Sequence, residues 1–557
     1  MKKENEKINI TIKNFGSITT EKGTDIFGIL NKYKDEFKYP VLAARVNNAI
    51  RELSYKIEED CCLEFIDITN VDGMRIYRRS LYLLLIKAAD DVSPSCDLRI
   101  HHSIGNGIFC TIKKDGSNYF ETDNIKKLEE RMREIVKNKI PIEKNYIKRE
   151  EAAENFKRTQ RSDRYNIVKY RKKDYVSTYI LDGYEDYFYG YMVPHTGHLD
   201  RFNIIEYKNG LVMIFPQRNN PDVLPEFLPQ QKLFDIFSEY EKWGTILGAK
   251  NAGEINNMIN NDSIHEFIRV SEALQEKKIA NIADMINSSL SKKKIILISG
   301  PSSSGKTTFA RRLSIQLKVN QLKPVTISLD DYYLDKGKIP LDEYGQPDLE
   351  ALEALDVKLI NEHLKMLLEG QTVTVPKFSF KTGKRETYGK KIKLNDDTVL
   401  LIEGIHGLNP KLTYNIPDSD KFKIYISALT SLNIDNHNRI PTTDTRLIRR
   451  IVRDYQFRST GAAETIRIWP YVRRGEKKNI FPYQECADIM FNSSLSYEHC
   501  ALKKLAEPIL EQISNSEHEY SEAARLREFL SCFNTVQFEQ IPINSILREF
   551  IGGGCFR

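Results

Sequence analysis

The chain lacks any apolar run approaching the roughly 18 residues of a membrane-spanning helix, so a protein outside the membrane is expected. Its first residues, MKKENEKINI, bring lysines without the apolar core of a secretory leader, and the expected compartment is the cytoplasm. The eight cysteines (Cys61, Cys62, Cys96, Cys110, Cys486, Cys500, Cys532, Cys555) include no Cys-x-x-Cys pair. That argues against a disulfide framework or a zinc knuckle and leaves most of them as small core residues. A net charge of +6 over 557 residues permits a polyanionic ligand without demanding nucleic acid. Nor does an Asn-Lys-x-Asp tetrad follow the glycine-rich segment described next. The nearest string, Asn31-Lys32-Tyr33-Lys34-Asp35, has the wrong spacing and precedes it, which argues against a regulatory GTPase.

With 41% hydrophobic and 29% charged residues the composition is globular, and the length asks for three or four domains. The most informative stretch is GPSSSGKTT, residues 300–308, between the apolar run Ile295-Ile296-Leu297-Ile298 and a segment with helical periodicity. Gly300 to Thr307 fits G-x-x-x-x-G-K-[ST] in the strand-to-helix context that the mechanism needs. Such a loop binds a nucleoside triphosphate. The glycines Gly300 and Gly305 let the backbone approach, and the amides of Ser302, Ser303, Ser304, Gly305, Lys306 and Thr307, at a helix start with Thr308, surround the phosphates. Lys306 bridges the β- and γ-oxygens, and the Thr307 hydroxyl ligates Mg²⁺.

The next strand, Val325-Thr326-Ile327-Ser328, runs into Leu329-Asp330-Asp331-Tyr332-Tyr333. Ligands collect at the C-terminal ends of parallel strands, so this carboxylate pair should face the γ-phosphate, with Asp330 the candidate base and Mg²⁺ contact and Asp331 second. A third strand, Thr398-Val399-Leu400-Leu401-Ile402, closes on Glu403, a second Mg²⁺ contact. In RLIRRIVR, Arg446, Arg449, Arg450 and Arg453 share one helix face. Four like charges on one face call for anions among them, which reads as a lid clamping the triphosphate with Arg458 just beyond.

On GPSSSGKTT, SLDDYY, VLLIEGIHGL and TDTRLIRRIVRD, in that order, residues 291 to about 505 resemble the uridine kinase and phosphoribulokinase branch of P-loop kinases. The resemblance implies a P-loop α/β kinase with a parallel sheet, the cofactors ATP and Mg²⁺, and phosphorylation of the 5′-hydroxyl of a nucleoside. It implies Asp330 as general base, Glu403 and Thr307 at Mg²⁺, and Arg446, Arg449 and Arg453 in the acceptor-and-lid region. Asp348 matches the position that holds ribose hydroxyls; the competing reading is a helix cap. Phe378, Phe380 and Arg385 match the aromatic base-binding segment, but Gly383 stands where uridine kinases have a base-reading histidine. A sugar phosphate or another small alcohol therefore stays open as acceptor.

Residues 8 to about 67 read as a strand at Ile8–Ile12, a turn at Gly16-Ser17, a helix around 24 to 36 and strands ending at Leu63–Ile66. This mixed sheet resembles the ubiquitin-like TGS domain of threonyl-tRNA synthetases. Residues 69 to about 225 resemble the second, editing-type α+β domain of those enzymes, through MRIYRRSLYLLLIKAADDV and HHSIGNGIFC. The family's His-x-x-x-His and Cys-x-x-x-His fall on Arg79 and Leu83 and on Tyr191 and His195, so only His195 remains and aminoacyl-tRNA hydrolysis is not expected. RNA contact through these modules, a regulatory ATPase cycle and self-association stay open as alternatives. The expected organisation is multidomain α+β and α/β: 1–68, 69–225, a helical connector at 226–290, the kinase at 291–505 and a helical extension at 506–557. The closing Ile551-Gly552-Gly553-Gly554-Cys555 reads as a frayed end.

Overall fold

The computed structural model describes residues 6–118, 122–289, 294–379, 382–386, 388–395 and 397–556. Residues 1–5 of the lysine-rich start, Phe380 and the 290/291 domain boundary lie outside the described residues. No helix among the described residues is long and apolar enough to cross a membrane.

The chain opens with a five-stranded mixed sheet in the order Gly16–Glu21, Lys7–Ile12, Cys61–Asp67, Val41–Val46, Ala49–Arg51. Strict alternation in KINITI turns Ile8, Ile10 and Ile12 inward, the period of a half-buried strand. The helix expected over 24–36 is only Ile26–Leu30, followed by a 3₁₀ turn at Lys34–Glu36. Asp25 caps it by accepting from the Gly28 amide, and Ile26, Ile29 and Leu30 are its buried face. Beyond Leu30, Asn31-Lys32-Tyr33-Lys34-Asp35-Glu36 offers almost no apolar residue to continue that face.

The next part is built on the 22-residue helix Val71–Val92, capped by Asn70. It packs on an antiparallel sheet containing Asp97–Ile104, Gly107–Lys114, Asn203–Tyr207 and Gly210–Ile214, and on a three-stranded sheet of Ile142–Lys148, Tyr175–Leu181 and Tyr184–Tyr187. Helices Gln231–Ile246, Ala252–Asn260 and Ile264–Ser289 follow. One apolar cluster runs from Phe156, Ile167 and Tyr187 through Ile268 and Ile282 to Ile296, Leu447 and Phe550, so these helices pack on both neighbours.

The C-terminal half is a parallel sheet. Its strands are β1 (Ile295–Ser299), β2 (Lys323–Ser328), β3 (Thr398–Glu403), β4 (Lys421–Ser427) and β5 (Ile489–Asn492), in the order β2-β3-β1-β4-β5. Alternate residues of β1 and β3 serve two cores: Ile296, Ile298, Val399 and Leu401 enter one, Ile295, Leu297, Leu400 and Ile402 the other. Helices α1 (Lys306–Val319), α2 (Thr442–Arg458), α3 (Ala462–Asn479), α4 (Glu498–Glu511), α5 (Tyr520–Leu530) and the short α6 (Arg548–Ile551) complete it.

Two ionic networks tie the halves together. Arg164 pairs with Asp186 at 2.7 Å, and His437, from the loop before α2, lies against both. Arg75 pairs with Glu522 on α5, and Arg525 carries the chain on to Asp444 in the first turn of α2. The C-terminus is folded rather than frayed: Ile546, Leu547 and Phe550 are fully buried, and the Cys555 amide donates to Ile543 O at 3.0 Å. All eight cysteines are free; Cys61, Cys110, Cys500 and Cys532 are buried, whereas Cys62, Cys486 and Cys555 are exposed and Cys96 lies between.

Candidate active site

The site grows from the end of β1. At Gly300 a Cβ would stand 2.0 Å from Ile426 O, so only glycine lets the loop leave between β1 and β4. Gly305 has φ +82°, a left-handed conformation glycine adopts freely, and α1 starts at Lys306 directly after it. Lys306 folds over the loop, donating to Gly300 O at 2.9 Å and Pro301 O at 3.2 Å, and burial lowers its pKa against the pull of Glu403 and Asp330. Thr307 is exposed at the mouth of the helix. The Ser303 and Ser304 hydroxyls are buried with no partner among the described residues. Buried hydroxyls are normally satisfied, so these orphans, at a helix start beside a lysine, fit an anionic oxygen.

Strand register brings the carboxylates alongside. Ser328 of β2 pairs with Glu403 of β3, and the Ser328 hydroxyl donates to Glu403 Oε1 at 2.9 Å. Asp330 lies two residues past that pair in the 3₁₀ turn Leu329–Tyr332. Asp330 is exposed, yet partial desolvation by its surroundings raises its pKa, against Lys306, Arg458 and Arg453. Glu403 is buried, and burial, then repulsion from Asp330, pushes it up to about 7. Two carboxylates that repel each other and both act on Lys306, the residue before Thr307, make with that threonine a donor set suited to Mg²⁺. Asp331 turns away, accepting the Phe378 amide at 3.5 Å.

The arginine helix departs from the lid expectation. Arg446 and Arg449 are fully buried under the phosphate loop, not over it. Arg446 Nε donates to Ser302 O at 2.9 Å and its guanidinium pairs with Glu476; Arg449 pairs with Glu498 at 2.6 Å and reaches Ser303 O at 3.4 Å. Isolated buried charge is prohibitive, so each takes a carboxylate partner. Arg450, Arg453 and Arg458 all pair with Asp454, and Arg450 also donates to Ser302 Oγ at 3.0 Å. Arg453 and Arg458 are the two whose charge acts on Asp330.

Of the acceptor candidates, Asp348 holds its own turn by accepting the Glu350 amide at 3.1 Å; it caps no long helix, because Asp356 caps Val357–Leu368. Phe378 is buried against Tyr333, ring centroids 5.6 Å apart. Arg385 is spent on Asp356 and on the carbonyls of Tyr332 and Tyr333. Sequence reasoning missed Glu476, Glu498 and Glu549. The local signal for the first two was the arginine face itself, whose required anions are protein carboxylates.

In the front half, Arg79 donates to Tyr191 O at 2.8 Å, which brings these two positions together, and Leu83 is buried. His195 stacks on His198 at 4.2 Å, beside a cavity of about 250 Å³ that Phe27, Leu30 and Pro194 also line. His101 and His102 instead share Glu241 of the connector.

A glycine-rich loop gripping a helix start, with carboxylates at the ends of the adjoining parallel strands, defines a P-loop kinase domain. Residues 295–497 match the model of the Phosphoribulokinase / Uridine kinase family. The uridine kinase of Halalkalibacterium halodurans is 29% identical over 197 residues, covering 35% of this chain and 84% of that one. The N-terminal part is similar to the threonine–tRNA ligase of Desulforamulus reducens, 28% identical over 199 residues, 36% of this chain. The chain spans about a third (31%) of that ligase's length. A solved "Possible Uridine Kinase" from Bacillus stearothermophilus is 19% identical, with 39% of this chain and 100% of that one covered and a TM-score of 0.26.

Proposed function

We propose that the chain transfers the γ-phosphoryl group of ATP to the 5′-hydroxyl of a nucleoside. The observation that carries this reading is Asp330, a partly desolvated carboxylate at the end of β2, facing Lys306 and lying beside Glu403. A bare ATP switch has no need of such a base. The amides of residues 303 and 305 to 307 and the orphaned Ser303 and Ser304 hydroxyls receive the phosphates, the Ser302 amide being held by Glu476 Oε1 at 3.2 Å, and Lys306 leaves its two loop carbonyls to bridge the β- and γ-oxygens. Thr307, Glu403 and, on the acceptor side, Asp330 would hold Mg²⁺, which when bound offsets the charge of the transferring phosphoryl group. Asp330 accepts the hydroxyl proton as the new O–P bond forms and the bridging bond to ADP breaks. Its raised pKa makes it a better proton acceptor than an ordinary aspartate. Arg446 and Arg449 act through the loop, holding the Ser302 and Ser303 carbonyls so that the loop amides stay aimed at the phosphates.

A second acceptor class is favoured by one observation. Gly383 has φ +67° and its amide donates to Ser379 O, so the hairpin turn that should read a base presents no side chain there. The test is ADP release from Mg²⁺-ATP with uridine, cytidine, inosine, adenosine, guanosine or ribulose 5-phosphate offered singly. Stimulation by a nucleoside that is lost in Asp330→Asn is the expected result. Stimulation by RNA alone, with no small acceptor active, would instead assign the ATPase cycle to the synthetase-like half.

A further inference from the structure

We propose that residues 541–556 are an autoinhibitory strap: Glu549 holds the first turn of α1 where a nucleoside triphosphate would bind, and the strap must shift off α1 before the phosphates can seat. The inference rests on the reading of residues 300–308 as a phosphate loop and adds to it a device that controls entry.

The strap closes on itself. Arg548 donates to Phe538 O at 2.7 Å and to Gly552 O at 3.2 Å, and the Cys555 amide donates to Ile543 O at 3.0 Å, so the two sides of α6 are tied together. The turn after α6 runs through φ +82° at Gly552 and +68° at Gly553, a left-handed backbone that glycine adopts without strain. A segment tied internally in this way moves as one piece.

It rests on the phosphate loop. Glu549 Oε2 accepts from the Thr308 amide at 3.3 Å and from the Thr308 hydroxyl at 2.7 Å, and Ile546 Cγ2 stands 2.7 Å from the place of a Cβ on Gly305. The first amides of a helix have no partner inside it and are the ones an anion can take. Glu549 thus fills with a protein carboxylate a position that a triphosphate needs, while the buried Ser303 and Ser304 hydroxyls of the same loop stay without a partner among the described residues. A cap serving stability alone has no reason to sit on a loop whose other polar groups are left open for a ligand.

The two occupants exclude each other. A triphosphate brings several negative charges to the helix end that Glu549 already holds, and like charges in a partly buried site repel strongly. The seated strap is also anchored on α2: the Arg449 guanidinium lies 4.9 Å from the Phe550 ring centroid, and Phe550 O accepts from Gln456 Nε2 at 2.8 Å. Arg449 in turn reaches Ser303 O at 3.4 Å, so strap and loop share one arginine. Burial of Ile546, Leu547 and Phe550 favours the seated position. A ligand that binds only the shifted form is weakened in proportion to the fraction of chains that are shifted.

The experiment follows the full chain by hydrogen exchange and by stopped-flow binding of a fluorescent, non-hydrolysable ATP analogue with Mg²⁺. At saturating analogue the amides of Ile551, Gly552 and Cys555, all bonded within the strap, should exchange about tenfold faster, while those of α1 slow down. The observed binding rate should level off as the analogue concentration rises, at the rate at which the strap shifts. Arg548→Ala cuts the strap's internal ties at a residue that does not touch the loop; it should raise that plateau and tighten the analogue by about threefold each. Lost packing alone would weaken binding instead. Should Arg548→Ala fail to fold, the two wild-type readings decide. Strap exchange that the analogue leaves unchanged overturns the proposal while the phosphate-loop reading stands. So does a binding rate that stays linear in concentration, or a folded Arg548→Ala chain that binds no better than wild type. If wild type does not bind the analogue at all, the phosphate-loop reading falls and the proposal with it.

Discussion

Glu549 Oε2 accepts from both the amide and the hydroxyl of Thr308, at 3.3 and 2.7 Å, so a carboxylate near the C-terminus caps the first turn of the phosphate-loop helix. Ile546, from the same segment, packs where a Cβ on Gly305 would stand, 2.7 Å from its Cγ2. An anion at a helix start gains roughly 0.3–1 kcal/mol from the terminal amides. Nucleotide phosphates use that same end of the helix, so the two anions compete. Glu549→Gln is expected to tighten ATP binding by about fivefold, the equivalent of about 1 kcal/mol, and to lower the Tm of the nucleotide-free chain. Titration with a fluorescent ATP analogue and a melting curve read both; an unchanged affinity would show that Thr308 is not shared.

Glu403 sets a pH dependence of stability. Its pKa rises from an ordinary 4.5 to about 7 on folding. Below about pH 4.5 it is protonated in both states and its burial is harmless. Between 4.5 and 7 the unfolded chain releases a proton that the folded chain retains, so stability falls as pH rises. Above 7 the penalty is complete, on the order of 3 kcal/mol. Glu403→Gln should therefore be more stable than wild type at pH 8 by an amount of that order and equal to it near pH 4, in urea titrations without metal. Mg²⁺-dependent turnover should fall at least tenfold, and added Mg²⁺, expected to raise the Tm of wild type at pH 8, should no longer do so.

The Arg164–Asp186–His437 cluster holds the kinase loop before α2 against the synthetase-like half, and Asp186 is fully buried. Removing one partner of a buried ion pair leaves the other charge uncompensated and costs about 3–5 kcal/mol. Asp186→Ala should lose stability of that order and open residues 433–441 to protease. The Tm and the cleavage site together distinguish this from a general loss of folding: cleavage confined to that loop is the expected pattern.

The parts of this molecule that were legible in sequence are those whose chemistry is local. Strands β1 and β3 read as apolar runs because both their faces are covered, and Glu403 and Asp330 stand at fixed offsets from strand ends. The arginine face of α2 was equally legible as a periodicity. What neutralises it was not, because Glu476 and Glu498 lie 30 and 49 residues away on other helices. Charge balance says that an anion must be near, and it does not distinguish a bound phosphate from a protein carboxylate. The Glu549 cap, 241 residues from Thr308, has no local signal at all. The helix expected around 24 to 36 stops at Leu30 for the opposite reason: the residues beyond it are polar and have little to bury.

The two adjacent aspartates separate base chemistry from loop structure. Asp330 feels Lys306, Arg453 and Arg458, while Asp331 accepts the Phe378 amide and faces the hairpin instead. A positioned general base contributes roughly 10²–10⁴-fold. Asp330→Asn should therefore lose acceptor-stimulated ADP release by about that factor while ATP affinity, set by the loop and Lys306, changes by no more than about threefold. Asp331→Asn keeps an acceptor oxygen for the Phe378 amide and should retain activity within about tenfold. The measurement is the single-turnover rate of each variant with saturating ATP and acceptor. A reversed order would move the base to Asp331 and require the turn Leu329–Tyr332 to rearrange when substrate binds.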